Sequence, residues 1–159
     1  MLRGALLAAT LIAAGCGFHL VGADPAPALQ SVAVRYEQSD RVVPPPLIDA
    51  LRARLDNSQA GENAGVLTIQ SIHTTRRVLA ISPRDGNAVA YELVSTAVFD
   101  FRAHGKTLLQ DQSLSVRRAY SFDPGRRLAA EAQRRTLLAN MQQALADHIL
   151  LRLHGALSQ

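Results

Sequence analysis

Alternation of apolar and polar residues marks the chain's first strand, and the same period returns further on. Val32, Val34 and Tyr36 fall on one side of Ser31 to Tyr36, the period of an extended segment. Pro44, Pro45 and Pro46 stop that strand and suit the first turn of a helix. Leu47, Leu51 and Leu55, with Ile48, then share one helical face reaching about Asp56, and Asn57 to Gly65 reads as a loop. Val66 to Ser82 is rich in Val, Ile, Leu and Thr and is followed by a strong turn signal, Pro83 to Asn87. From Ala88 to Ala103 the alternation is clear. Tyr91, Leu93, Ala97, Phe99 and Phe101 take one face, while Glu92, Thr96, Asp100 and Arg102 take the other. His104, Gly105 and Lys106 make a tight turn, after which Thr107 to Phe122 pairs back with Asp111, Ser113, Ser115 and Arg117 on its polar face. Strands this long, against a usual five or six residues, predict a protruding antiparallel meander.

The last third changes to helical period. Asp123 offers an N-cap with Pro124 just inside the helix. Leu138, Met141, Leu145, Ile149 and Leu153 form a stripe, and Gln133, Thr136, Asn140, Gln143 and Asp147 line the opposite side to a helix end near Gly155. That polar face is neutral, whereas a helix lying on a membrane is usually rich in Lys and Arg, so the stripe predicts core packing. The order is β-α-β-β-β-α. A helix joining the first two strands makes them parallel neighbours through a right-handed crossover, and the rest is antiparallel. The expected fold class is α+β: a two-layer sandwich with two helices on one face of a four-stranded, mostly antiparallel sheet.

Composition narrows the partners. The chain has 159 residues, 17 Lys and Arg against 13 Asp and Glu, 4% aromatic residues and no Trp. So small a basic surplus suits phosphate groups or a headgroup region. It is too diffuse, and too poor in aromatic residues, for nucleic acid. A single cysteine excludes an intrachain disulfide framework and a cysteine-based zinc site.

The N-terminus changes where fold reasoning begins. Arg3 precedes an uncharged run, Ala5 to Ala14, too short for a bilayer span of about 20 helical residues but suited to a signal-peptide core. Ala13, Ala14, Gly15 and Cys16 then resemble the bacterial lipobox, with Ala13 where Leu is usual. Residues 1–15 are expected to be cleaved as a signal peptide, leaving Cys16 as the lipid attachment site, palmitate included. Residues 16–30 read as a lipidated tether containing Pro25 and Pro27, and 31–157 as one domain. One acyl chain anchors marginally and two or more anchor stably, at about 0.8 kcal/mol per buried methylene. Gly17, rather than Asp, follows the cysteine; by resemblance to sorted bacterial lipoproteins this favours the outer membrane.

No catalytic constellation emerges. His19, His73, His104, His148 and His154 lack metal-ligand spacing, and there is no Gly-rich phosphate loop, Gly-x-Ser-x-Gly or His-Glu-x-x-His. The expectation is no enzyme, no metal and no cofactor. Arginine pairs recur at Arg76-Arg77, Arg117-Arg118, Arg126-Arg127 and Arg134-Arg135. Within a strand the two members of a pair point to opposite faces. Solvated edges and helical partners such as Glu131 with Arg135 account for most of them. A candidate binding tip combines Arg102, Lys106 and Arg118, because guanidinium forks fit phosphate oxygens bidentately.

Three segments carry a family resemblance. "GCGFHLVG" (Gly15 to Gly22) resembles the mature start of the LptE family of lipopolysaccharide-assembly lipoproteins, with Val21 where Arg is common. "AVAYELVSTAVFDF" (Ala88 to Phe101) is similar to that family's Ala-x-Tyr-x-Leu strand, and "VRRAYSFDP" (Val116 to Pro124) leads likewise into the long last helix. The resemblance implies a plug inside the LptD outer-membrane β-barrel, helping to place lipopolysaccharide in the outer leaflet and binding it. Carried over by position, Arg102 to Lys106 is the first candidate for lipopolysaccharide and Arg118 the second. The alternative from another class is an outer-membrane-anchored periplasmic binding lipoprotein with a different envelope ligand and no barrel partner.

Overall fold

The computed structural model describes Leu29 and residues 32–38, 45–55 and 65–158. Its order is β1 (Val32–Tyr36), α1 (Pro46–Arg54), β2 (Gly65–Ile81), β3 (Ala88–Ala103), β4 (Lys106–Ser121) and, after one 3-10 turn at Pro124–Arg126, α2 (Arg127–Leu157). This is the β-α-β-β-β-α order read from the pattern. The strands lie in the order β1-β2-β3-β4, with β1 parallel to β2 and the other pairs antiparallel. The expected signal segment, Cys16 and the expected tether up to residue 28 lie outside the described residues. Leu29, which the sequence reading leaves in the tether, is buried among core residues.

The helices are placed by their apolar faces. Pro45 is the N-cap of α1 and Pro46 its first residue, where a missing N–H costs no helical bond. Leu47, Ile48, Leu51 and Leu55 are fully buried, although Leu55 is already extended and only its N–H, bonded to the Leu51 carbonyl at 2.9 Å, closes the helix. On α2, Met141, Leu145, Ile149 and Leu153 are fully buried. Both helices pack against the sheet face that carries Leu67, Ile69, Phe99 and Phe101. Along β3 buried and half-buried positions alternate from Leu93 to Phe101, the outcome expected when one face meets helices and the other water. Ser95 and Ala97, both small and fully buried, lie between the larger Leu93 and Phe99 on that face.

Three of the strands are 16 or 17 residues long, and they are not uniform ladders. Gln70 is an extra residue between Ile69, opposite Phe99, and Ser71, opposite Val98. This bulge exchanges the faces of β2. Leu67 and Ile69 point to the core before it; Ile72, Thr74 and Arg76 share the helix side after it. A second bulge places Gln110 and Asp111 in β4 opposite Asp100, with Asp111 at φ +49°. Side chains tie the two bulges together across β3. Gln70 Nε2 donates to Asp100 Oδ2 at 2.8 Å and to Asp111 Oδ1 at 3.0 Å, while the Asp111 N–H donates to Asp100 Oδ1 at 2.7 Å.

The face away from the helices is mostly polar over the length of these strands. Thr96 and Ser115 exchange a hydrogen bond at 2.8 Å, and Arg77 Nε lies 2.6 Å from Glu92 Oε2. Val94 and Val98 are half-buried among these groups. The β3–β4 turn has two central residues, His104 at φ +52° and Gly105 at φ +71°, as a tight hairpin matching the strand twist requires. At the opposite end, β2 outgrows β1, whose pairing stops at Tyr36 and Ile69. Residues 73–81 are exposed on both faces, giving the protruding hairpin that the strand lengths predict.

Candidate functional site

The proposed cationic tip is only partly assembled. Arg102 pairs with Thr107 and Ala103 with Lys106, so Arg102 and Lys106 flank the β3–β4 turn, both exposed. They leave the hairpin on opposite faces, Arg102 on the open side and Lys106 on the helix side. Arg118 does not join them. β4 runs antiparallel away from the turn and brings Arg118 opposite Leu93, about 30 Å from Arg102 at roughly 3.3 Å per residue. Its Nη1 donates to the Arg117 carbonyl at 2.9 Å. Nearness to the turn in sequence does not survive a strand of this length.

Beside Lys106 the structure adds something the sequence did not single out. A groove of about 800 Å³ runs between edge strand β4 and the C-terminal part of α2. Leu108, Leu109, Leu114 and Leu151 line it, and Leu151 is 70% exposed. His148, Arg152 and Gln112 supply polar margins, with Arg152 Nη2 donating to Gln112 Oε1 at 3.1 Å. Positive charge at the turn next to an open apolar channel suits an amphiphile whose anionic end stays in water. The signal for this groove lay in Leu151, an apolar residue two positions from the stripe residues Ile149 and Leu153.

The far end of the sheet gathers the other arginines. Arg76 lies 4.7 Å over the Tyr91 ring, which stacks on Tyr120 at 5.7 Å and meets Phe122 edge-on at 5.5 Å. Arg77 turns to the open face and its ion pair with Glu92, as the alternation of a strand requires. Arg134 reaches Glu131 with two bonds, Nε at 2.9 Å and Nη2 at 2.6 Å, while Arg135, the partner expected from sequence, is at 3.5 Å. The hydrogen bonds and charge of Arg134 hold the Glu131 carboxyl down at about 2, and the same contact raises Arg134.

Between this end of β2 and the first half of α2 lies a second cleft, about 630 Å³. Gln142 lines it and is 8% exposed. Its Nε2 donates to Ser95 Oγ at 2.9 Å, and Ser95 shares a hydrogen bond with the exposed Thr74 Oγ1, also 2.9 Å, so α2, β3 and β2 are joined by one polar chain. Gln142 Oε1 is buried and has no hydrogen-bond partner among the described residues. Gln142 sits at i+4 from Leu138, inside the apolar stripe, and that misplaced amide was the available signal for the cleft.

Comparison with known proteins agrees with the fold. Rare lipoprotein B from Shewanella oneidensis superposes with a TM-score of 0.65 at 24% identity, covering 78% of this chain and 93% of that one. An uncharacterized lipoprotein B from Nitrosomonas europaea gives 0.59 at 20% identity over 75% and 78% of the two chains. A minor lipoprotein from Acinetobacter baumannii gives 0.59 at 17% identity over 78% and 90%. No curated protein matches. The family model for lipopolysaccharide assembly, LptE, matches residues 29–153, from the buried Leu29 through the last buried leucine of α2, and the chain belongs to that family.

Proposed function

We propose that this chain is a non-enzymatic outer-membrane lipoprotein, freed of residues 1–15 and acylated at Cys16. Its folded part sits in the lumen of the LptD β-barrel and assists insertion of lipopolysaccharide into the outer leaflet. The observation that carries the lumenal reading is the open sheet face. It offers Gln70, Asp100 and Asp111 in one hydrogen-bonded group and Thr96 with Ser115 in another, along strands of 16 or 17 residues, a surface suited to the polar interior of a barrel. Membership of the lipopolysaccharide-assembly family supplies the process, and the solved relatives described as lipoproteins support the anchor.

Lipopolysaccharide binding belongs at the β3–β4 turn. Arg102 and Lys106 supply cations for phosphate, and the groove beginning at Leu108 supplies apolar surface for acyl chains. Arg118, too far along β4, is left out of this site. Extraction in mild detergent followed by purification of this chain should recover a large β-barrel with it; its absence refutes the lumenal reading. Reversing charge in an Arg102→Glu, Lys106→Glu double variant should weaken lipopolysaccharide binding with the circular dichroism spectrum unchanged. Equal binding removes the tip from the site. Radioactive palmitate should label the chain and fail to label Cys16→Ala.

A further inference from the structure

The groove between β4 and α2 holds a second cation that the β3–β4 turn does not supply. At the bulge of Gln110 and Asp111, the Gln110 carbonyl accepts from Gln112 Nε2 at 3.0 Å. The other end of that amide faces α2, where Gln112 Oε1 accepts from Arg152 Nη2 at 3.1 Å. This strut occupies one of the five guanidinium N–H donors. Among the described residues no carboxylate pairs with Arg152 or with Lys106, whereas Arg54, Arg77, Arg134 and Arg135 each have one. Arg152 also stands more than a turn before the end of α2 at Leu157, beyond the part of the helix where the dipole acts. It is a cation fixed in direction by a neutral amide and, among the described residues, without a counter-charge.

Register sets the distance between the two charges. Lys106 lies opposite Ala103 and Gln112 opposite Phe99, so the two β4 positions stand about 13 Å apart at roughly 3.3 Å per residue. Both leave β4 on the helix side, as does Leu109, which lies opposite Phe101 between them. Leu114 continues the apolar lining past Gln112, and Leu151 adds to it from α2. No carboxylate lines the groove. At Gly155 an added Cβ would meet nothing within 4 Å, so space remains beside the last turns of the helix. An amphiphile with a single anionic head needs one cation at the mouth. Two cations separated by apolar surface suit a head with two anionic groups whose acyl chains leave from between them.

We propose that Arg152 is a second anion-binding residue of the lipopolysaccharide site, and that this site selects amphiphiles carrying two phosphates with acyl chains between them. Lys106 takes one phosphate. Arg152 takes the other through the donors that Gln112 leaves unused, and the chains lie on Leu109, Leu114 and Leu151. Gln112 is a positioning residue that acts through Arg152. The proposal rests on the lipopolysaccharide reading of the β3–β4 turn and adds to it a residue of the last helix.

The test uses the full chain and two lipids that differ by one phosphate, diphosphoryl and monophosphoryl lipid A, each competing with fluorescent lipopolysaccharide in the same detergent. The chain should bind the diphosphoryl form about tenfold more tightly. Arg152→Gln should abolish that preference by weakening the diphosphoryl form more than the monophosphoryl one, and Arg152→Lys should keep part of it. Gln112→Leu retains both charges but removes the strut, and should reduce the preference in the same direction with the circular dichroism spectrum unchanged. Gly155→Leu, favourable for the helix itself, should fill the groove and weaken both lipids. A preference that survives Arg152→Gln overturns the assignment. Equal binding of the two lipids by the unaltered chain overturns it as well, while leaving lipopolysaccharide binding at the turn in place. Binding of neither lipid overturns both readings together. Undiminished binding by Gly155→Leu removes the groove from the site, and Arg152 with it.

Discussion

Replacing Gln142 by methionine should make the folded chain more stable. The side chain is 8% exposed, with Nε2 bonded to Ser95 Oγ at 2.9 Å and Oε1 lacking a partner among the described residues. The change removes one hydrogen bond, with a net contribution of about 1 kcal/mol, and one buried unpaired acceptor, with a cost of about 1–3 kcal/mol. Ser95 keeps its bond to Thr74, so no new group is stranded. Methionine has nearly the same length and flexibility as glutamine and can fill the same space. The balance favours the variant by about 1 kcal/mol. Ser95→Ala is the contrasting perturbation: it leaves both Gln142 Nε2 and Thr74 without their partner and should cost about 2 kcal/mol. Urea unfolding followed by circular dichroism measures both. With a slope of about 1–3 kcal/mol per molar, the midpoint should rise by about 0.5 M for Gln142→Met and fall by about 1 M for Ser95→Ala, at unchanged slope. A midpoint that falls for Gln142→Met by as much as for Ser95→Ala would refute the reasoning, because the carbonyl would then be satisfied in the free protein.

Phe99→Ala should cost about 3–5 kcal/mol, since Phe99 is fully buried where β3 meets the helices, and the urea midpoint should fall accordingly. Gly105→Val should cost about 1–2 kcal/mol at φ +71°, and it should weaken lipopolysaccharide binding without altering any charge, measured on the same variant. The Glu131 carboxyl, held at about 2 by the hydrogen bonds and charge of Arg134 against an ordinary 4.5, should titrate there by carbon NMR and move toward 4.5 in Arg134→Gln. Because the folded value is the depressed one, the support this pair gives the start of α2 is present above about pH 4.5. It is lost as the pH falls through about 2. An unmoved titration in the variant would assign the depression to another group.

Much of the architecture follows from local pattern alone. The alternation of Leu93, Ala97, Phe99 and Phe101 against Glu92, Thr96, Asp100 and Arg102 specifies a strand with one buried side, because its period matches the pleat. The stripe from Leu138 to Leu153 specifies the packing face of α2 for the same reason at a different period. The helix between the first two strands makes them parallel neighbours, and the two-residue turn at His104 and Gly105 leaves β4 no other course than back along β3. What a residue does at a distance is another matter. The chain's pattern groups Arg118 with Arg102 and Lys106, yet the register that makes β4 a strand carries it to the other end of the sheet. The bulges at Gln70 and Asp111 each depend on a partner across β3, and each reassigns which side of its own strand faces the helices. The Gln142–Ser95–Thr74 chain and the groove below Lys106 arise between elements far apart in sequence. Sequence by itself determined the elements, their order and their buried faces, since these depend on neighbours three or four residues away. Which polar groups meet, and which side of a bulged strand faces the helices, tertiary structure alone decided, since both depend on partners across the sheet.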